Sequence, residues 1–195
     1  KDSVVTHRQF SLLTLASLGM LLTLSGCATP KGGSPAEKRA DAQRMRGEVL
    51  GTFYRALPQV RTQVENAPGF GVFSGVGTQT IFVASGNGYG IIRDNATGTD
   101  TYMRAVKLGG GLGVGAESVR AVVIFHDRAT LQSILRDGWG VTGSAGASAK
   151  VGDVGGSGAT VVTLPGMSIY RFTETGAMLG GAVQGVKSWP DEELN

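Results

Sequence analysis

Cysteine is almost absent: Cys27 is the only one in 195 residues. A single thiol makes no internal disulfide, so the fold has no covalent staple. Histidine is nearly as scarce, with His7 and His126 alone. One histidine in the body of the chain and no cysteine beyond Cys27 leave few options for a zinc site or a nucleophile pair. No serine occupies a Gly-x-Ser-x-Gly elbow, since Gly143-Ser144-Ala145-Gly146 lacks that form. Glu117 and Asp127 are separated by ten residues of strand-like sequence, about 33 Å if extended, so they do not pair through that strand. The expectation is a protein that is not an enzyme and holds no cofactor or metal. Strong charge of one sign is also missing. The formal net charge is +3, too little for a nucleic-acid partner to be argued from charge.

Glycine is abundant, at 32 residues. That is far above the usual share of about 7%. The glycines are not a collagen-type repeat, and they alternate with Val, Ala, Ile and Leu. They therefore indicate β structure with bends, bulges and close backbone contacts, not disorder.

The N-terminal region is organised around Leu24-Ser25-Gly26-Cys27. Lys1, His7 and Arg8 give a basic start, and Phe10 to Leu24 is an apolar run of 15 residues. A spanning helix needs roughly 20, so the run is of signal-peptide rather than transmembrane type. The stretch ending at Cys27 resembles the lipobox of bacterial lipoproteins. The resemblance implies cleavage before Cys27, a thioether-linked diacylglycerol on its sulfur, and three acyl chains in all. Residue 28 is Ala, not the Asp associated with inner-membrane retention, so the family's sorting rule implies the periplasmic face of the outer membrane. The expected organisation is a signal peptide over 1–26, a lipidated cysteine and flexible tether over 27–35, one domain over 36–190 and a polar tail over 191–195.

Ala36 to Ala67 reads as helix. Met45, Val49, Phe53, Leu57, Val60 and Val64 draw one apolar stripe, and Pro58 is expected to break it after Leu57. The stripe suits packing on the domain better than lying on a membrane, although Arg39, Arg44, Arg46, Arg55 and Arg61 on the other side can meet headgroups. From Phe70 the period changes to two. Short strands are expected at 70–73, 80–84 and 89–93, with a tight turn at Gly86-Asn87-Gly88. Asp94 to Asp100 reads as a hairpin loop, lacking the spacing of a calcium loop. The run Gly109 to Gly115 fits neither a P-loop nor a dinucleotide fingerprint, and a strongly bent strand is expected there. Asp127 caps a short helix that Gly138 stops. Trp139 to Val151 reads as one strand of small residues, Gly152 to Gly158 as a loop, and 160–163, 167–172 and 177–186 as the last strands. Glu174-Thr175-Gly176 reads as their final turn.

The order of these signals is specific. Ala67-Pro68-Gly69-Phe70-Gly71-Val72-Phe73 is followed by Leu108 to Glu117, then Ala121-Val122-Val123-Ile124-Phe125, then Ile169-Tyr170-Arg171-Phe172 and Gly176 to Ala182. Over roughly residues 40–190 the chain resembles the SYLF domain family, in its bacterial lipoprotein branch. Tyr102-Met103 and Trp189-Pro190 depart from the Trp-Ser and Tyr-Tyr-Gly segments common in that family. The fold class expected is α+β: a single domain with a glycine-rich, mainly antiparallel sheet or half-barrel, an N-terminal helix and one short helix between strands. The resemblance implies lipid binding, with anionic headgroups as ligand. Arg104, Lys107, Lys150, Arg171 and Lys187, on strands or at their ends, are the residues expected to pair phosphates. The alternative is a structural lipoprotein with a protein partner in the envelope. An outer-membrane β-barrel is disfavoured by the short strands and intervening helices.

Overall fold

A computed structural model describes residues 28–142, 148–154 and 157–195. Cys27 and the expected signal peptide lie outside the described residues. The chain opens with helix α1 (Pro35–Ala56) and helix α2 (Pro58–Asn66). Ser34 caps α1 and forms a capping box with Glu37. The break at Leu57 falls where Pro58 removes an amide donor. The stripe predicted from the sequence is buried along its whole length, from Met45 to Val64.

Two strands of 26 residues follow, β1 (Gly69–Asp94) and β2 (Asp100–Phe125), joined by the polar loop. Helix α3 (Arg128–Asp137) begins at the Asp127 cap and stops at Gly138, whose φ is 72°. Then come β3 (Trp139–Thr142), β4 (Ser148–Val154), β5 (Ser157–Leu164) and β6 (Met167–Pro190). The sheet is antiparallel in the order β1-β2-β6-β5-β4, with β3 also on β6. It curls into a half-barrel carrying the N-terminal helices, an α+β single domain.

The strands are much longer than expected, at 26, 26 and 24 residues for β1, β2 and β6, so short strands no longer argue against a barrel, and four further expectations change. No turn exists at Gly86-Asn87-Gly88, which lies inside continuous β1. A Cβ on Gly86 would stand 2.4 Å from the carbonyl oxygen of Val76, and one on Gly88 2.6 Å from that of Ser74. These glycines let two limbs of one strand touch backbone to backbone. Glu174-Thr175-Gly176 is not a turn either. In the pairing of β2 with β6, Ser118 faces Thr175 and Val119 faces Thr173, so Glu174 is a bulge. The actual turn before β6 uses Gly166, with φ 76°. Residues 139–151 do not form one strand: β3 pairs with the end of β6, while β4 pairs with β5. Gly152 to Val154 and Ser157 to Gly158, expected as loop, belong to β4 and β5.

The main core lies between α1–α2 and the sheet, around Phe53, Val60, Phe70, Val72, Val122, Ile124 and Phe172. Phe53 and Phe172 meet edge to face at 5.2 Å. A second cluster seats Leu131 and Ile134 of α3 against Ile92, Met103, Val123 and Phe125. Residues 191–195 are packed: Asp191 and Leu194 are buried, and Asn195 donates to the carbonyl of Tyr102.

Candidate functional site

Of the basic residues singled out in the sequence whose side chains are described, only Lys107 and Arg171 come together, on Glu117. Arg104 donates through Nε to Asp191 at 2.8 Å and also meets Glu193 at 3.3 Å. Lys107 donates to Glu117 Oε1 at 2.9 Å, and Arg171 stands 3.7 Å from the same oxygen. Lys187 is exposed on β6, in register with Val106 and Gly140. The backbone of Lys150 lies in β4 opposite Thr160, and its side chain is outside the described residues. Three of the five therefore have carboxylates beside them.

Glu117 is the residue the sequence reading missed. It is only 9% exposed and also accepts from the Thr173 hydroxyl. Ten residues separate it from Lys107 on the same strand, about 33 Å if β2 were straight. The 2.9 Å contact shows how far β2 folds back on itself. One sequence signal was available: Lys107 and Glu117 bracket the glycine run with opposite charges. The run itself is no phosphate cradle. Gly109, Gly110 and Gly113 pair with β1 on one side and β6 on the other.

The opposite situation holds at the fold of the ribbon. Ile81, Phe82, Val83, Leu108 and Val114 are between 57% and 67% exposed. They are neighbours. Val83 pairs with Gly110, Thr80 with Val114 and Ser85 with Leu108. Scattered apolar residues on a surface are ordinary, but a group of neighbours is a candidate interaction surface. The register slips between Ile81 and Val83, and Ile81 has φ 42°. A β-branched residue rarely adopts that conformation, and such strain gathers at functional positions. These five side chains form an apolar crest at the bend.

Other polar clusters are structural. Asp94 is buried and accepts both Arg128 guanidinium nitrogens, at 2.8 and 3.0 Å, and the amide of Ala96. The Arg128 bonds hold its carboxyl below the usual range. Asp100 binds Gln43, Arg46 and Arg93. Burial pushes Asp100 up, and these donors outweigh it, leaving a lowered pKa. Both acids of the polar loop are thus occupied by side chains. Tyr89 is pushed up to about 12 by burial and by the Asp41 carboxylate. His126 bonds to the Ser168 hydroxyl at 3.0 Å on the surface. Among the described residues no three His, Cys, Asp or Glu side chains group as metal ligands, and no helix is long and apolar enough to cross a membrane.

A protein of Aeromonas veronii named Beta cell expansion factor A is 27% identical to this chain over 161 residues, 81% of the chain. The chain spans 59% of the length of that curated relative. No family model matches the chain.

Proposed function

We propose that this chain is a bacterial envelope lipoprotein, acylated at Cys27, whose SYLF-like domain binds lipid without catalysing a reaction. The single observation that carries the reading is the exposed apolar crest at Ile81–Val83, Leu108 and Val114. The lipobox-like Leu24-Ser25-Gly26-Cys27 and the order of motifs shared with the SYLF family support it. The likeness to the Aeromonas protein accords with a domain of the same kind.

The physical content is a shift of emphasis. Arg104, Lys107 and Arg171 stand beside acids, so phosphate pairing has to displace existing partners. The crest has no such competition. Moving a Phe, Ile, Leu or Val side chain from water into hydrocarbon is worth about 1.5–3 kcal/mol. The crest thus adds a second membrane signal to a covalent anchor. Ala28 in place of Asp favours the outer membrane by the family's sorting rule.

Vesicle co-sedimentation of residues 28–195 tests this. Binding to both neutral and anionic vesicles is expected, with loss in Phe82→Asp. Absence of binding to either overturns it. A further gain on anionic vesicles that is lost in Lys187→Gln assigns Lys187 a headgroup role. One observation favours the alternative of a protein partner in the envelope: β1, which carries the crest, ends the sheet and pairs only with β2 among the described strands. Crosslinking in intact cells to one stoichiometric protein would support that instead.

A further inference from the structure

The segment between Cys27 and α1 has the composition of a loose tether, yet side chains of the domain hold it. The Ala28 amide donates to Asn87 Oδ1 at 3.3 Å, and the Lys31 amide to Asp41 Oδ2 at 2.9 Å. The amides of Gly33 and Ser34 both donate to Glu37 Oε2, at 2.8 and 3.1 Å. Gly32 turns the segment with φ 139°, and a Cβ there would lie 2.5 Å from that of Glu37. Asp41 is itself buried and fixed by Arg44 and the Tyr89 hydroxyl. Beyond the Glu37 cap of α1, the Ala28 and Lys31 amides reach side chains of β1 and α1, which makes the segment a docked strap rather than a free linker.

The place where the strap begins matters. Asn87 lies on β1 four residues from Val83, at most about 13 Å along the strand. Alternation puts Asn87, Ser85 and Val83 on one face, and Leu108 shares it as the register partner of Ser85. The chain therefore leaves the domain on the face, and near the end, that carries Val83 and Leu108 of the apolar crest.

We propose that the docked strap and the crest form one composite contact surface for a lipid bilayer, with Asn87 and Gly32 setting the exit of the anchor so that acyl chains and crest enter the same leaflet. This rests on the lipid reading of the crest. Docking removes the freedom that would let the domain face away from the bilayer. It holds the crest at high effective concentration against the lipid, as a short linker does for a second binding site.

The full lipidated chain, reconstituted in phosphatidylcholine vesicles, tests the idea. Acylated Cys27 has no free thiol, so Phe82→Cys takes an environment-sensitive fluorophore at one site. Quenching by doxyl-labelled lipid reads crest insertion, and amide exchange at Ala28 and Lys31 reads docking. The undisturbed strap is expected to protect both amides at least ~10-fold, with the label quenched. Gly32→Val with Asn87→Ala is expected to abolish that protection and cut quenching by half or more, while exchange in β2 stays unchanged. Unprotected amides in the parent protein, or equal quenching in docked and released forms, overturns this inference alone. A label unquenched in every form overturns the lipid reading of the crest and this inference with it.

Discussion

Gly88 and Phe82 stand six residues apart on β1 and answer to opposite demands. Gly88 lies where one limb of the strand crosses the other, and a Cβ there would meet the Ser74 carbonyl oxygen at 2.6 Å. Gly88→Val is expected to cost about 1–3 kcal/mol by overpacking, read as a lower thermal midpoint. Phe82 is two-thirds exposed, so Phe82→Asp is expected to shift that midpoint little. Its effect belongs to vesicle affinity, which should fall roughly 10-fold or more if the ring enters hydrocarbon. At this scale one role was legible: Asp127 announces a helix cap by its place before a Leu-Ile pattern. Glu117 was not legible as a partner of Lys107, because its role depends on a fold that brings distant positions together.

At the scale of elements, helices read well and strands less so. The stripe from Met45 to Val64 and the Pro58 break follow from local periodicity, and both are seen. Phe53 is fully buried against Phe172, and Phe53→Ala is expected to cost about 3–5 kcal/mol in denaturant unfolding. The strands were divided too finely. Gly-Asn-Gly at 86–88 and Glu-Thr-Gly at 174–176 carry turn chemistry, yet both lie inside long strands. Glycine serves a turn and a close backbone crossing for the same reason, the lack of a Cβ, so local sequence does not separate them. Asp94 joins the end of β1 to α3 through Arg128. Its folded pKa is depressed, so it contributes stability that is present above the unfolded carboxylate value, about 4, and lost as pH falls through the lower folded value. The thermal midpoint of the parent is therefore expected to fall in acid more steeply than that of Asp94→Asn, measured from pH 7 to pH 2.

At the scale of the whole molecule, two long ribbons fold sharply and the fold leaves a polar latch and an apolar crest. Lys107 and Glu117 close the latch. Both are largely buried, so removing one partner strands the other charge. Glu117→Leu is expected to destabilise by about 3–5 kcal/mol, and adding Lys107→Met is expected to restore most of it, measured as a double-mutant cycle. The crest is the outer side of the same bend. Continuous sheet cannot turn there without exposing the side chains on its convex surface, and this chain places Ile81, Phe82 and Val83 at that point.

Local sequence was enough for the helices, the Asp127 cap, the broken apolar stripe, the α+β class and the glycine-rich character of the sheet. All of these arise from contacts within a few residues or from periodic burial. Where the ribbons bend, which cations face carboxylates and how the segment after Cys27 docks came from the folded arrangement alone. Each of these depends on residues far apart in the chain meeting at one point, and no local pattern encodes such a meeting.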